Sequence, residues 1–218
     1  MSRLRLAAAV VAPLLWSNVV RPALPLDQRG RTAVNAAFAT GYAAVLGGAP
    51  RWCAPRGLRY GAFAAAGVTA GYALAVAVPA LRAGLAVFAA RDADTDPLEW
   101  VTVHIPLGTV YSEELIFRAT LDPLLDQALG SRLGPVAAAG VFGLWHIAPA
   151  RAAGDNVPLT VLTTGAGGLL FGLLARRAGS ATAPALLHLA LNAGGVLAPR
   201  LARALLAPDT PADRTDQL

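Results

Sequence analysis

The chain has no lysine, one cysteine and only three glutamates in 218 residues, and charged side chains make up just 14% of it. A soluble domain carries about a quarter charged residues, so the shortage argues against a water-soluble enzyme. The single cysteine, Cys53, excludes an internal disulfide. No glycine-rich phosphate loop, paired-cysteine pattern, HExxH pair or fixed-period repeat occurs, which leaves phosphate-binding and structural-zinc readings without support. All 18 basic residues are arginine, and the formal charge is +5 with a pI near 10.3. No basic cluster alternates with aromatics, so a nucleic-acid partner is set aside. What is abundant is apolar: 56% of residues are hydrophobic, alanine alone exceeds a fifth, and the mean hydropathy is +0.53.

A membrane-crossing helix needs about 20 mostly apolar residues. Seven stretches approach this: residues 5–21, 32–48, 61–81, 100–118, 135–150, 157–175 and 183–197. The expected fold is an all-α polytopic membrane helix bundle of about seven transmembrane helices. Residues 1–218 read as one membrane domain, with a motif-bearing core at 100–197 and a polar, disordered tail at 208–218. The first stretch has the basic start and apolar run of a signal peptide. Pro13, Trp16 and Asn18 interrupt that run, and no small-x-small cleavage site follows, which favours a retained helix. Arg51, Arg56 and Arg59 in one loop and Arg176 and Arg177 in another place both loops, and with them the N-terminus, on the cytoplasmic side of a bacterial plasma membrane. Asp92, Asp94, Asp96 and Glu99 then face the other side, whereas Arg21, Arg29 and Arg31 fit this orientation poorly. Glycines at spacing four, Gly67 with Gly71 and Gly168 with Gly172, suggest close helix contacts.

Ionisable groups at membrane depth are paired, face a cavity or do chemistry, because each costs at least about 2.5 kcal/mol to insert. The fourth stretch ends in Glu113, Glu114 and Arg118. Glu114 and Arg118 stand four residues apart in the order that favours an ion pair. Glu113 projects about 100° away and is free for another role. The fifth stretch carries Phe142 and His146 at spacing four, and the seventh carries His188 and Asn192. His104, nine residues before Glu113, falls about half a turn round an ideal helix and reads as outside the site.

A carboxylate beside a neutral imidazole can take a proton from water, and a second imidazole with an amide can stabilise an oxyanion. Glu113, His146 and His188 could alternatively ligate a zinc ion that activates the water. The residues leave that choice open. They also admit a non-catalytic reading, a membrane scaffold or immunity-type protein that uses the polar cluster for packing or peptide binding. A proton-coupled transporter is disfavoured because no repeated halves are visible.

The ordered set Glu113-Glu114-x-x-x-Arg118, Phe142-x-x-x-His146 and His188-x-x-x-Asn192 resembles the CPBP family of intramembrane proteases. That family is also called the CAAX-protease and bacteriocin-processing, or Abi, family. The resemblance implies an intramembrane endopeptidase acting on a membrane-associated or prenylated peptide or protein. It implies that Glu113 and His146 activate a water and that His188 and Asn192 form the oxyanion hole. Glu114, Arg118 and Phe142 have supporting roles, and no cofactor is required unless zinc is bound. Ala119 stands where family members often have glycine, a departure that bears on close packing.

Overall fold

The computed structural model describes residues 2–90 and 96–207. Asp92 and Asp94 of the acidic run and the expected polar tail at 208–218 lie outside the described residues. All regular elements among these are helices. They are α1 (Arg3–Ala23), α2 (Gln28–Leu46), α3 (Pro55–Ala77) and α4 (Pro79–Ala86), then α5 (residues 97–129), α6 (residues 131–145), α7 (Ile147–Ala152), α8 (Val157–Ala178) and α9 (Thr182–Ala204).

Five stretches are long and apolar enough to cross a membrane: α1, α3, the run Pro97–Ala152, α8 and α9. That run is two passes, because it reverses at Gly130, where φ is 79° and ψ is 172°. Only glycine enters that region without a Cβ penalty. The arms run antiparallel: Asp126 packs on Gly134, Phe117 on Phe142, and Glu113 on Trp145. With α2, which is 19 residues long, the described residues form a helical membrane bundle whose long members are α1, α2, α3, α5, α6, α8 and α9.

α5 is its axis, and every residue from Ser112 to Asp122 is buried. α2 lies parallel to α5, tied by Thr32 to His104 at 2.8 Å and by the Asn35 amide donating to the Gly108 carbonyl at 2.6 Å. α1 runs antiparallel to α2, with the Trp16 indole donating to Asn35 at 2.7 Å and the Tyr42 hydroxyl to the Ala9 carbonyl at 2.8 Å. α8 packs antiparallel on α6, and α9 lies parallel to α3, where the Tyr72 hydroxyl donates to the Leu191 carbonyl at 3.1 Å.

Several expectations about segments change. The fourth stretch does not end at Arg118, because the helix continues through Asp122 and Asp126 and leaves the glutamates in its middle. The third breaks at Val78, which is extended before Pro79, as the residue before a proline tends to be. The fifth breaks at His146. A Cβ at Gly168 would lie 2.8 Å from the Phe142 ring and one at Gly172 would lie 2.9 Å from Asp122, whereas Gly67 and Gly71 have nothing within 4 Å. The α3 to α9 contact instead uses Gly57, Gly61 and Gly194.

Candidate active site

α5 is not a uniform α-helix. Trp100–Tyr111 and Phe117–Leu121 are π-helical, with the short α-helical turn Ser112–Ile116 between them. Pro106 in the first wide stretch has no N–H to donate, and such insertions recur at functional sites. The wide turns shift the helical register, so angles counted on an ideal helix fail upstream of Glu113.

Glu113 lies between α5 and the end of α6. The Trp145 indole N–H donates to its Oε1 at 3.1 Å, and its buried Oε2 has no hydrogen-bond partner among the described residues. His146 Nε2 stands 3.9 Å from that oxygen. His146 occupies the junction of α6 and α7 with φ −92° and ψ 6°, the sparsely allowed bridge region where many active-site residues sit. Its Nδ1 is 2.8 Å from the Phe142 carbonyl oxygen. A carbonyl only accepts, so Nδ1 carries the hydrogen and the neutral ring keeps its Nε2 lone pair toward Glu113. A water about 2.8 Å from both Oε2 and Nε2 would bridge them with an angle near 90° at its oxygen.

Glu114 faces the opposite way and is fully buried. Its Oε1 accepts from His188 Nδ1 at 2.9 Å, and its Oε2 lies 3.4 Å from Arg118 Nε. From there a line of alternating charges crosses the bundle. Arg118 lies 3.5 Å from Asp122, Asp122 lies 3.8 Å from Arg176 of α8, and Arg176 grips Asp126 through two bonds of 2.7 and 2.9 Å. Three phenylalanine rings box the Arg118 guanidinium, with centroids 5.6 Å (Phe117), 4.5 Å (Phe142) and 5.5 Å (Phe171) away. Phe142 also packs edge-on against the His146 ring at 4.9 Å, and Phe171 lies 4.9 Å from the His188 ring. These two rings join the Glu113–His146 pair to the Glu114–His188 pair.

The structure thus brings Glu113 to His146, and Glu114 to both Arg118 and His188. Asn192, one turn after His188, lines a neighbouring cavity of about 490 Å³ with Tyr72, Trp100, Thr109 and Val196. Glu113, His146 and His188 do not form a three-donor metal cluster among the described residues, because His188 turns its Nδ1 to Glu114. The metalloprotease-like reading is corrected accordingly: the pair at Glu113 supplies two donors, one fewer than a catalytic zinc takes. His104 bonds Thr32 and lies 3.3 Å from Glu99, away from Glu113.

Sequence reasoning passed over Trp145, Asp122, Arg176, Asp126 and Phe171. Asp122 had a legible signal, since Glu114, Arg118 and Asp122 stand at successive spacings of four. Arg176 and Phe171 belong to another helix and had none. Neither a curated protein nor a solved structure matches the chain. Residues 95–194, a little under half of the chain, match the family described as Rce1-like, type II CAAX prenyl endopeptidase Rce1-like, so this segment is similar to the CPBP, or CAAX-protease, family that its motifs resemble.

Proposed function

We propose that the chain is an intramembrane endopeptidase that hydrolyses a peptide bond of a membrane-associated or prenylated peptide or protein. The observation that carries this reading is the Glu113 Oε2 and His146 Nε2 pair, the carboxylate buried and the imidazole partly exposed, 3.9 Å apart, with each partner's other atom tied down. A water held there loses its proton to this pair as its oxygen attacks the substrate carbonyl. His188 and Asn192 donate to the oxyanion that forms. His188 already gives its Nδ1 hydrogen to Glu114, so donation from Nε2 uses the imidazolium form. Collapse of the tetrahedral intermediate returns the proton from the Glu113–His146 pair to the leaving amine. Glu114 and Arg118 hold His188, and Phe142 seats His146.

The loop bearing Arg51 and the C-terminal end of α8, whose last turn carries Arg176 and Arg177, meet at one end of the bundle, where Ala181 N–H donates to the Pro50 carbonyl at 2.9 Å. This end, with the N-terminus, is assigned to the cytoplasm of a bacterial plasma membrane.

The test compares membrane proteomes of cells carrying the protein, lacking it, or carrying Glu113→Gln, which keeps an acceptor for Trp145. A membrane peptide shortened only in the presence of the unaltered protein supports the assignment. Equal processing by Glu113→Gln and by His146→Ala would sink it.

A further inference from the structure

Glu114, Arg118 and Asp122 are buried, yet both oxygens of Asp122 and all three nitrogens of Arg118 have no hydrogen-bond partner among the described residues. Charge ties them to one another, at separations of 3.4 to 3.8 Å, beside a cavity of about 340 Å³ that Asp126, Arg176 and the exposed Arg51 also line. With so few hydrogen bonds, the balance of the line depends on its charge count. Glu114, Asp122 and Asp126 carry three negative charges, and Arg118 and Arg176 carry two positive ones, so the line has a net charge of −1.

The line ends on His188, whose Nδ1 donates to Glu114 at 2.9 Å. A proton on Nε2 brings the sum to zero, and an uncompensated charge is what a buried site tolerates least. The other elements packed on α9 bring no competing charge to this ring among the described residues. α3 brings Tyr72, whose hydroxyl donates to the Leu191 carbonyl, while its Arg56 and Arg59 are exposed. Arg82 of α4 is committed to the Val76 and Ala77 carbonyls, and α8 lays the Phe171 ring 4.9 Å from His188. The Glu113–His146 pair is reached only through the Phe142 and Phe171 rings, and Arg200 and Arg203 lie at the far end of α9.

We propose that Asp122, Asp126 and Arg176 are positioning residues that act through Arg118 and Glu114 to keep His188 as the imidazolium. Its Nε2–H then meets an oxyanion while Nδ1 stays on Glu114. The use of that ring in catalysis rests on the peptidase reading; its charge state does not. The extension of the line past Arg118 has a reason on this account. Glu114 and Arg118 alone are neutral and would leave the proton on His188 unbalanced, whereas a line ending on Asp126 carries the one excess negative charge that offsets it.

The test uses the full-length protein, labelled with 15N-histidine, in neutral maltoside micelles. Imidazole 1H–15N correlation spectra report the ring, and His188→Gln identifies its signals. Near neutral pH the unaltered protein is expected to show both His188 nitrogens protonated. The variants are compared at a more alkaline pH, where the unaltered protein shows both forms. Asp122→Asn makes the line neutral and is expected to lower the ratio of imidazolium to imidazole about tenfold, the worth of a unit charge on the order of 10 Å away at an effective dielectric of about 20. Arg176→Gln leaves a second excess negative charge and is expected to raise the ratio at least about threefold, less because this side chain is partly exposed. The double variant returns the line to its original charge and is expected to fall between the two single ones.

A neutral His188 ring in the unaltered protein near neutral pH overturns the inference, and that measurement needs no variant to fold. Shifts of the same sign in both single variants, or no shift in either, overturn it as well. So does a double variant with a lower ratio than Asp122→Asn, since lost packing adds where charges cancel. If the ring behaves as expected and no membrane peptide is cut, the peptidase reading falls and the charge assignment stands. Glu113-dependent cleavage by a protein whose His188 ignores the line does the reverse.

Discussion

Replacing Arg118 by methionine removes the centre of the charge line while keeping an unbranched apolar stem. Glu114 would retain His188 and Asp122 would retain Arg176 at 3.8 Å, but two carboxylates buried on one helix would lose the cation between them. Breaking a buried ion pair by deleting one partner costs about 3–5 kcal/mol, and loss of the three ring contacts adds about 0.5–2 kcal/mol. In a chain of 218 residues, each kcal/mol moves Tm by about 2–4 °C. The expected fall is therefore on the order of 10 °C, read from tryptophan fluorescence during heating in detergent. The double variant Arg118→Met with Asp122→Asn removes one of the stranded charges and is expected to melt above the single variant, with a coupling of at least about 1 kcal/mol. An Arg118→Met protein melting within about 2 °C of the parent, or a double variant less stable than the single one, would refute the claim that Arg118 offsets these two carboxylates.

Trp145→Phe keeps a ring and deletes the N–H that fixes Glu113; cleavage of a verified substrate is expected to slow by about tenfold, and an unchanged rate would remove Trp145 from the site. Gly168→Ala would push a methyl to 2.8 Å from the Phe142 ring, costing about 1–3 kcal/mol by overpacking and lowering turnover through the misplaced His146; a parental Tm would contradict the packing described. Cys53 is exposed, near the end assigned to the cytoplasm, so a membrane-impermeant maleimide is expected to label it in inverted vesicles and not in intact spheroplasts. Labelling of intact spheroplasts would reverse the orientation.

The motif residues were legible because each places rare polar groups at spacing four on an otherwise apolar helix. Hydropathy ended the fourth stretch at Arg118, because Asp122 and Asp126 look like loop residues until Arg176 is brought beside them from α8. A reversal between the fourth and fifth stretches was expected, but not its place at Gly130, because the chain remains helical on both sides of that residue. The ideal-helix estimate for His104 used a geometry that the π-helical stretch Trp100–Tyr111 does not have. Gly67 and Gly71 share the spacing of Gly168 and Gly172 but face outward, and a spacing alone carries no information about which face meets a neighbour.

The hairpin at Gly130 also sets an order of events during synthesis. Glu113 and His146 meet across one local turn, so this pair can form as soon as α6 leaves the ribosome. Arg176 arrives with α8 and His188 with α9. Until then Glu114 has only Arg118, and Asp122 awaits its second cation. Insertion of the last two helices thus closes the charge line and supplies the histidine paired with Glu114 in a single late stage.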